Sequence, residues 1–110
     1  MLPLHWACDH SADTAILYLL AWITKSKSLK PINSQRGDGK TPLHLAIIKA
    51  GETGNTGAIK ELLICGANRD IKDSLGKKPK DYIDQIQITS VRDKLTEIFV
   101  RKYSSLKLVE

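Results

Sequence analysis

Apolar residues recur along this chain at helical spacing, in paired segments separated by polar turns. Leu43, Ala46 and Ile47 fall at i, i+3 and i+4, and Ile59, Leu62 and Leu63 repeat the arrangement after a polar interval. Val91, Leu95, Ile98 and Phe99 recur in the same way towards the C-terminal end. The run from Ala15 to Ile23 is too short for a bilayer, which takes about 20 apolar residues, and predicts a buried helix instead. Local signals fix where the helices begin and end. Thr41 stands where an N-cap belongs, and Pro42 follows at the first helical position, where its missing N–H costs nothing. Gly66 follows the second apolar segment, where a left-handed C-cap favours glycine. The pattern predicts two amphipathic helices packed as a hairpin, with the chain then turning out into an extended finger.

The hairpin is repeated. Pro3-Leu4-His5-Trp6-Ala7 returns as Pro42-Leu43-His44-Leu45-Ala46 and, eroded, as Pro79-Lys80-Asp81-Tyr82-Ile83, the prolines lying 39 and then 37 residues apart. A period of this size marks a solenoid built from one supersecondary unit per repeat. In its second occurrence the motif reads Asp38-Gly39-Lys40-Thr41-Pro42-Leu43-His44-Leu45-Ala46, followed by Ile59-Lys60-Glu61-Leu62-Leu63 and Gly66-Ala67-Asn68. This closely resembles the ankyrin repeat, whose pattern is D-x-x-G-x-T-P-L-H-x-A, a short turn, an I/V-V-x-x-L-L helix and G-A-x-x-N. The resemblance covers about residues 2–99. It implies an all-α solenoid of stacked helix-turn-helix units with protruding hairpin fingers. Against a family unit of about 33 residues, the first unit carries about six extra and the second about four. The first insertion, Thr24 to Pro31, is expected to lengthen the second helix or the loop leaving it, and the second, Ala50 to Gly57, to widen the turn between helices.

The fingers read as turns. Ile32 to Lys40 and Asn68 to Lys77 are rich in Asp, Asn and Gly, with Gly39 and Gly76 in matching positions. The resemblance implies that such tips meet partners, and that His5 and His44 bridge neighbouring fingers through both ring nitrogens. That structural role outweighs a metal or catalytic reading of His5 with Cys8, Asp9 and His10, because residues one or two apart on a helix point in different directions. A Cys-His nucleophile also needs a base oriented by a third group. No enzyme activity, metal, cofactor or small-molecule site is expected.

The third unit departs from the pattern: Lys78 replaces Thr, Lys80 replaces Leu, Asp81 replaces His and Ile83 replaces Ala. It reads as a terminal cap with Lys80, Gln85 and Gln87 turned to water, as end repeats of a solenoid require. The expected organisation is one repeat domain over residues 1–103, in units of about 2–37, 38–74 and 75–99, and a C-terminal tail over 104–110. The first unit lacks the finger that ought to precede it, the expectation for a piece of a longer protein with further domains upstream.

Composition adds bounds. The 110 residues are 42% hydrophobic, enough for one small core. Met1-Leu2-Pro3 has no secretory signature. Cys8 and Cys65 have no C-x-x-C partner, which points to reduced thiols and a cytoplasmic or nuclear setting. The net charge of +5 is carried by Lys25, Lys27 and Lys30, by Lys72, Lys77, Lys78 and Lys80, and by Arg101, Lys102 and Lys107. Solvated loops and fingers account for most of it. A basic surface for acidic partners or an anionic membrane is the weaker alternative, and nucleic acid is disfavoured because no stacking aromatic series accompanies the charge.

The reading is therefore a protein-interaction module whose partner surface comprises Trp6, Arg36, Asp38, Lys40, Lys49, Lys72, Ser74 and Leu75, on a frame set by His5, His44, Thr41, Gly39, Gly66 and Gly76. Trp6, between His and Ala of the first motif, has the large area and N–H donor of an interface anchor, with packing on Leu45 as its alternative. Trp22 is expected in the core or over the long loop. The segment Leu4 to His10 also resembles the first ankyrin unit of acyl-CoA-binding proteins, and a Trp after P-L-H occurs in ankyrin-bearing palmitoyltransferases. Either parent would add chemistry outside this piece.

Overall fold

The computed structural model describes residues 3–10, 13–26, 32–54 and 56–100, and among these it contains six helices and no strand. They are α1 (Pro3–Asp9), α2 (Asp13–Ser26), α3 (Pro42–Thr53), α4 (Gly57–Ile64), α5 (Pro79–Asp84) and α6 (Thr89–Val100). Consecutive helices pair as hairpins, α1 with α2, α3 with α4 and α5 with α6. The hairpins stack so that α3 lies between α1 and α5 in an inner row, and α4 between α2 and α6 in an outer row.

The core runs continuously through all three units. Leu4, Ala7, Leu43, Ala46, Ile47 and Ile83 come from the inner row, and Ile16, Leu20, Ile59, Leu62, Leu63, Leu95 and Phe99 from the outer row. Leu43, Ile47 and Leu62 are fully buried at the centre of the stack. Each unit therefore depends on its neighbour to cover its apolar face, as in any solenoid.

The second unit shows how local sequence sets the helices. Thr41 is extended (φ −88°, ψ 168°), Pro42 opens α3, and the Thr41 side chain accepts from the His44 backbone N–H. Helix α4 ends in a paired closure: Gly66 N–H donates to the Leu63 carbonyl and Ala67 N–H to the Leu62 carbonyl. That closure places Gly66 at φ 101°, a conformation glycine adopts without steric cost. The insertion of the second unit is spent differently from the sequence expectation. Helix α3 continues through Ala50–Thr53 and stops at Gly54 (φ 79°), so the extra residues mainly lengthen the helix. Ala50 is fully buried, so the start of the lengthened part of α3 still faces the core. Helix α2 likewise runs to Ser26, while the remainder of the first insertion, residues 27–31, lies outside the described residues.

Helix α2 also differs from a buried helix. Ile16, Leu20 and Ile23 are in the core, yet Leu17, Tyr18 and Trp22 are exposed. Trp22 is thus a surface residue, because helical periodicity buries only the side of α2 that meets α1 and α4. In the third unit Lys80, Gln85 and Gln87 are exposed, and Leu95 and Phe99 pack into the core.

Candidate functional site

The two fingers, residues 32–41 and 67–78, share one backbone design. Arg36 N–H bonds to the Lys40 carbonyl at 3.0 Å and Gly39 N–H to the Arg36 carbonyl at 2.8 Å. One unit later Asp73 N–H bonds to the Lys77 carbonyl and Gly76 N–H to the Asp73 carbonyl, both at 2.9 Å. Each tight turn closes on a left-handed glycine, Gly39 at φ 80° and Gly76 at φ 77°. Gly39 has a second reason to be glycine: a Cβ there would lie 2.6 Å from the backbone N of Ser74.

That proximity is the joint between fingers. Ser74 N–H donates to the Asp38 carbonyl at 3.0 Å, and the Gln35 amide donates to the carbonyls of Gly39 and Lys72, each at 2.9 Å. At the base, Asn68 N–H donates to the Asn33 side-chain oxygen at 2.6 Å. The fingers are tied at tip, middle and base. Arg69 fastens the second finger to the end of α6, donating to the Phe99 carbonyl and stacking over its ring.

Histidines carry the ties into the helices. His44 Nδ1 accepts from Thr41 N–H at 3.1 Å, so its proton sits on Nε2, which donates to the Lys77 carbonyl of the next finger at 3.0 Å. His5 Nε2 donates in the same manner to the Ser34 carbonyl at 2.7 Å. Burial lowers the pKa of both rings, which favours the neutral form these bonds use. In the third unit Asp81 keeps only the helix-capping half of the role, accepting from Lys78 N–H at 2.8 Å.

Side-chain electrostatics differ between fingers. In the first, Arg36 holds Asp38 through two bonds of 2.9 Å, and Asp9 lies 3.8 Å from the guanidinium. This pairing holds the Asp38 carboxyl well below the usual carboxylate range. In the second, the Asp73 side chain is fully covered and accepts from Leu75 N–H, Lys77 N–H and the Tyr82 hydroxyl. Burial opposes its ionisation, but these donors outweigh burial and lower its pKa to about 2. Burial and the bond to Asp73 together push the Tyr82 phenol up to about 12. Lys40 lies 3.6 Å from both Asp38 and Asp73 and also over the Tyr82 ring, which Lys77 approaches at 5.5 Å.

The sequence-nominated residues thus divide into two groups. Arg36, Asp38 and Lys40 are engaged within and between the fingers, where they shape the surface. Lys72, Ser74 and Leu75 project from the second finger, with Leu75 71% exposed. Trp6 is 52% exposed on α1 and stacks on the His10 ring at 4.5 Å, while Leu45 is buried. Lys49 sits on α3 beside Glu52 at 3.4 Å. Asp73 and Tyr82 were missed by sequence reasoning. The available signal was that Asp73 falls at the register of Arg36, so the tight turns of the two fingers open with opposite charges.

An ankyrin repeat family model matches residues 38–74. A human relative, "Ankyrin repeat domain-containing protein SOWAHB", is 37% identical over 81 residues, covering 73% of this chain and 10% of the relative. With a helical stack, paired fingers and His44 bridging to the next unit, these matches decide the family. The chain is an ankyrin repeat protein. It spans about a tenth of the length of the curated relative it matches. Ankyrin repeats are generally protein-interaction modules. Among the described residues no group of three or more His, Cys, Asp or Glu is placed to hold a metal ion, and no helix is long and apolar enough to cross a membrane.

Proposed function

We propose that the chain recruits another protein through a surface made of its fingertips and inner helix row. The observation that carries this reading is the joint between fingers, in which Ser74 N–H meets the Asp38 carbonyl while the Ser74 and Leu75 side chains remain in solvent. A surface whose backbone is already ordered loses little entropy on binding, so exposed anchors on it contribute more to affinity. Trp6, Lys49, Lys72, Ser74 and Leu75 are the anchors; Arg36, Asp38 and Lys40 act by setting the finger geometry. Trp and a tip Leu flanked by lysine suit a partner with an apolar spot rimmed by acidic groups.

Neither Cys8, which is buried, nor Cys65, which is half-buried, forms a disulfide, which fits a reducing compartment, the cytoplasm or the nucleus. Neither an acyl-CoA-binding nor a palmitoyltransferase parent enters the proposal, since the relative's name speaks of ankyrin repeats alone. The test is affinity capture from cell lysate, comparing the native chain with a Trp6→Ala, Lys72→Ala, Leu75→Ala variant of unchanged circular dichroism. The reading predicts a discrete protein retained at physiological salt by the native chain and lost by the variant. Equal capture by both, released by moderate salt, contradicts it.

A further inference from the structure

The two ends of the stack are finished differently. At the α5/α6 end, Lys80 stands at the register of Leu4 and Leu43, and Asp84 at that of Cys8 and Ile47. Those four residues are buried in the first two units, whereas Lys80 and Asp84 are exposed. Charge at positions that would otherwise meet a next unit is how a solenoid ends in water.

The α1/α2 end presents aromatic rings instead. The first and second units are each followed by another, and among the described residues only the second is also preceded by one. Surface that is covered in the second unit and open in the first is therefore surface that a preceding unit covers. Trp6 is 52% exposed, and Leu45, its counterpart 39 residues on, is buried. On the outer helix the offset is 43 residues: Tyr18 and Trp22 are 79% and 66% exposed, and their counterparts Glu61 and Cys65 are half-buried. Leu19 is half-buried where Leu62 is fully buried. Direct contacts give the same direction. Tyr82, the third member of the Trp6 series, turns its ring edge to His44 of the unit before it at 5.8 Å. Glu61 shares a small hollow with Leu17 of α2, so its counterpart Tyr18 points away from α4, as does Trp22 one turn on. Together with Leu19 and Ala21 they line a shallow apolar hollow.

We propose that the α1/α2 end is a stacking interface whose occupant is a further helical hairpin of the same kind, with its inner helix on Trp6 and its outer helix on Tyr18, Leu19 and Trp22. The surface that fits is the trailing face of such a unit, built from positions like Leu43 and Ile47. A second copy of this chain has none to offer, because its first two trailing faces are buried in its own core and its last is charged. The interface established twice within the stack thus selects a hairpin beyond the three described. Trp6 lies where this end meets the inner row and is shared with the recruiting surface, whereas Tyr18, Leu19 and Trp22 belong to the stacking interface alone. The inference is independent of the recruited partner.

The experiment adds such a hairpin to the full 110-residue chain by repeating residues 38–76 ahead of Met1, which sets Gly76 before Met1-Leu2-Pro3 as it stands before Lys77-Lys78-Pro79. The repeated segment has no Trp, so in a Trp6→Phe background emission reports Trp22 alone. A blue shift relative to the 110-residue chain is expected, with a gain in helical circular dichroism. Trp22→Lys should change the unfolding equilibrium by no more than about twofold in the 110-residue chain, where the ring is in water. In the extended chain it should cost at least roughly tenfold, because a large apolar side chain loses its cover. Tyr18→Lys should show the same split and keeps the test decisive if Trp22→Lys prevents folding. The 110-residue chain alone should sediment as a monomer. Unchanged Trp22 emission in the extended chain, equal tolerance of both lysine substitutions in the two chains, or self-association of the 110-residue chain that Trp22→Lys abolishes would each overturn the proposal. Loss of partner capture through Lys72 and Leu75 tests the recruiting surface separately, so either reading can fail without the other.

Discussion

The two fingers have the same backbone and different anchors. Both close a tight turn on a left-handed glycine, and both bond the residue at their start to the lysine carbonyl four positions on. The first is then held by Arg36 and Asp38, whose carboxylate side chain is 41% exposed. The second is held by Asp73, whose covered carboxylate serves two backbone N–H groups and the Tyr82 hydroxyl. An exposed ion pair contributes little because water competes for both partners, whereas removing a buried acceptor strands every donor that used it. The stack therefore leans on the second finger, and through Lys40 and the Ser74 joint the first finger borrows its rigidity.

This contrast can be broken most severely at Asp73. Asp73→Ala leaves two N–H groups and a phenol without their acceptor, and should lower the unfolding free energy by about 2–4 kcal/mol in urea titration. Gly39→Ala comes next: it forces a side chain into φ 80° and against the Ser74 N, and about 1–3 kcal/mol is expected. Gly37→Ala, with nothing within 4 Å of the added Cβ, should stay within about 0.5 kcal/mol and serves as the paired control.

Acid should reveal the fingers in sequence. Burial lowers the His5 and His44 pKa values from 6.5, so the unfolded chain takes up these protons first. Their contribution is whole above that value and falls as pH drops through it. Asp73 is lowered from 3.8 to about 2, so its contribution is present above the higher value and is lost only as pH falls towards the lower. Urea midpoints measured against pH should show the first loss weakened in His44→Gln and the second unaffected. Apart from the Gly37→Ala control, the smallest effect is expected at Asp38→Ala, about 0.5–1 kcal/mol by the same titration, because its pair with Arg36 is partly in water.

The inner logic of the helices was readable in the chain. Thr41-Pro42, the i, i+3, i+4 placement of Leu43, Ala46 and Ile47, and Gly66 after α4 are local signals, and local signals survive folding unchanged. What could not be read depended on which flank met a neighbour. Ala50-Gly51-Glu52-Thr53 looked like a turn, since a glycine and polar residues interrupt the period, yet Ala50 is buried and the helix continues. Trp22 follows an apolar run, but period alone does not say which side of α2 is packed. Asp73 looked like any turn aspartate, because its burial comes from Tyr82 and Lys40, nine residues after it and one unit before it. Arg36, Asp38 and Lys40 were legible as charged finger residues, but their engagement with each other depends on side-chain geometry that spacing does not give.

Locking of the two fingers into one rigid surface is tested most directly at the Ser74 amide. Its side chain is in solvent while its N–H is held by the Asp38 carbonyl, so native-state hydrogen exchange separates a locked joint from a loop that merely rests nearby. The prediction is protection of Ser74 N–H approaching that of the buried amides of α3, and loss of that protection in Gly39→Ala while α3 stays protected. Exchange of Ser74 at the rate of a free loop in the native chain would contradict it.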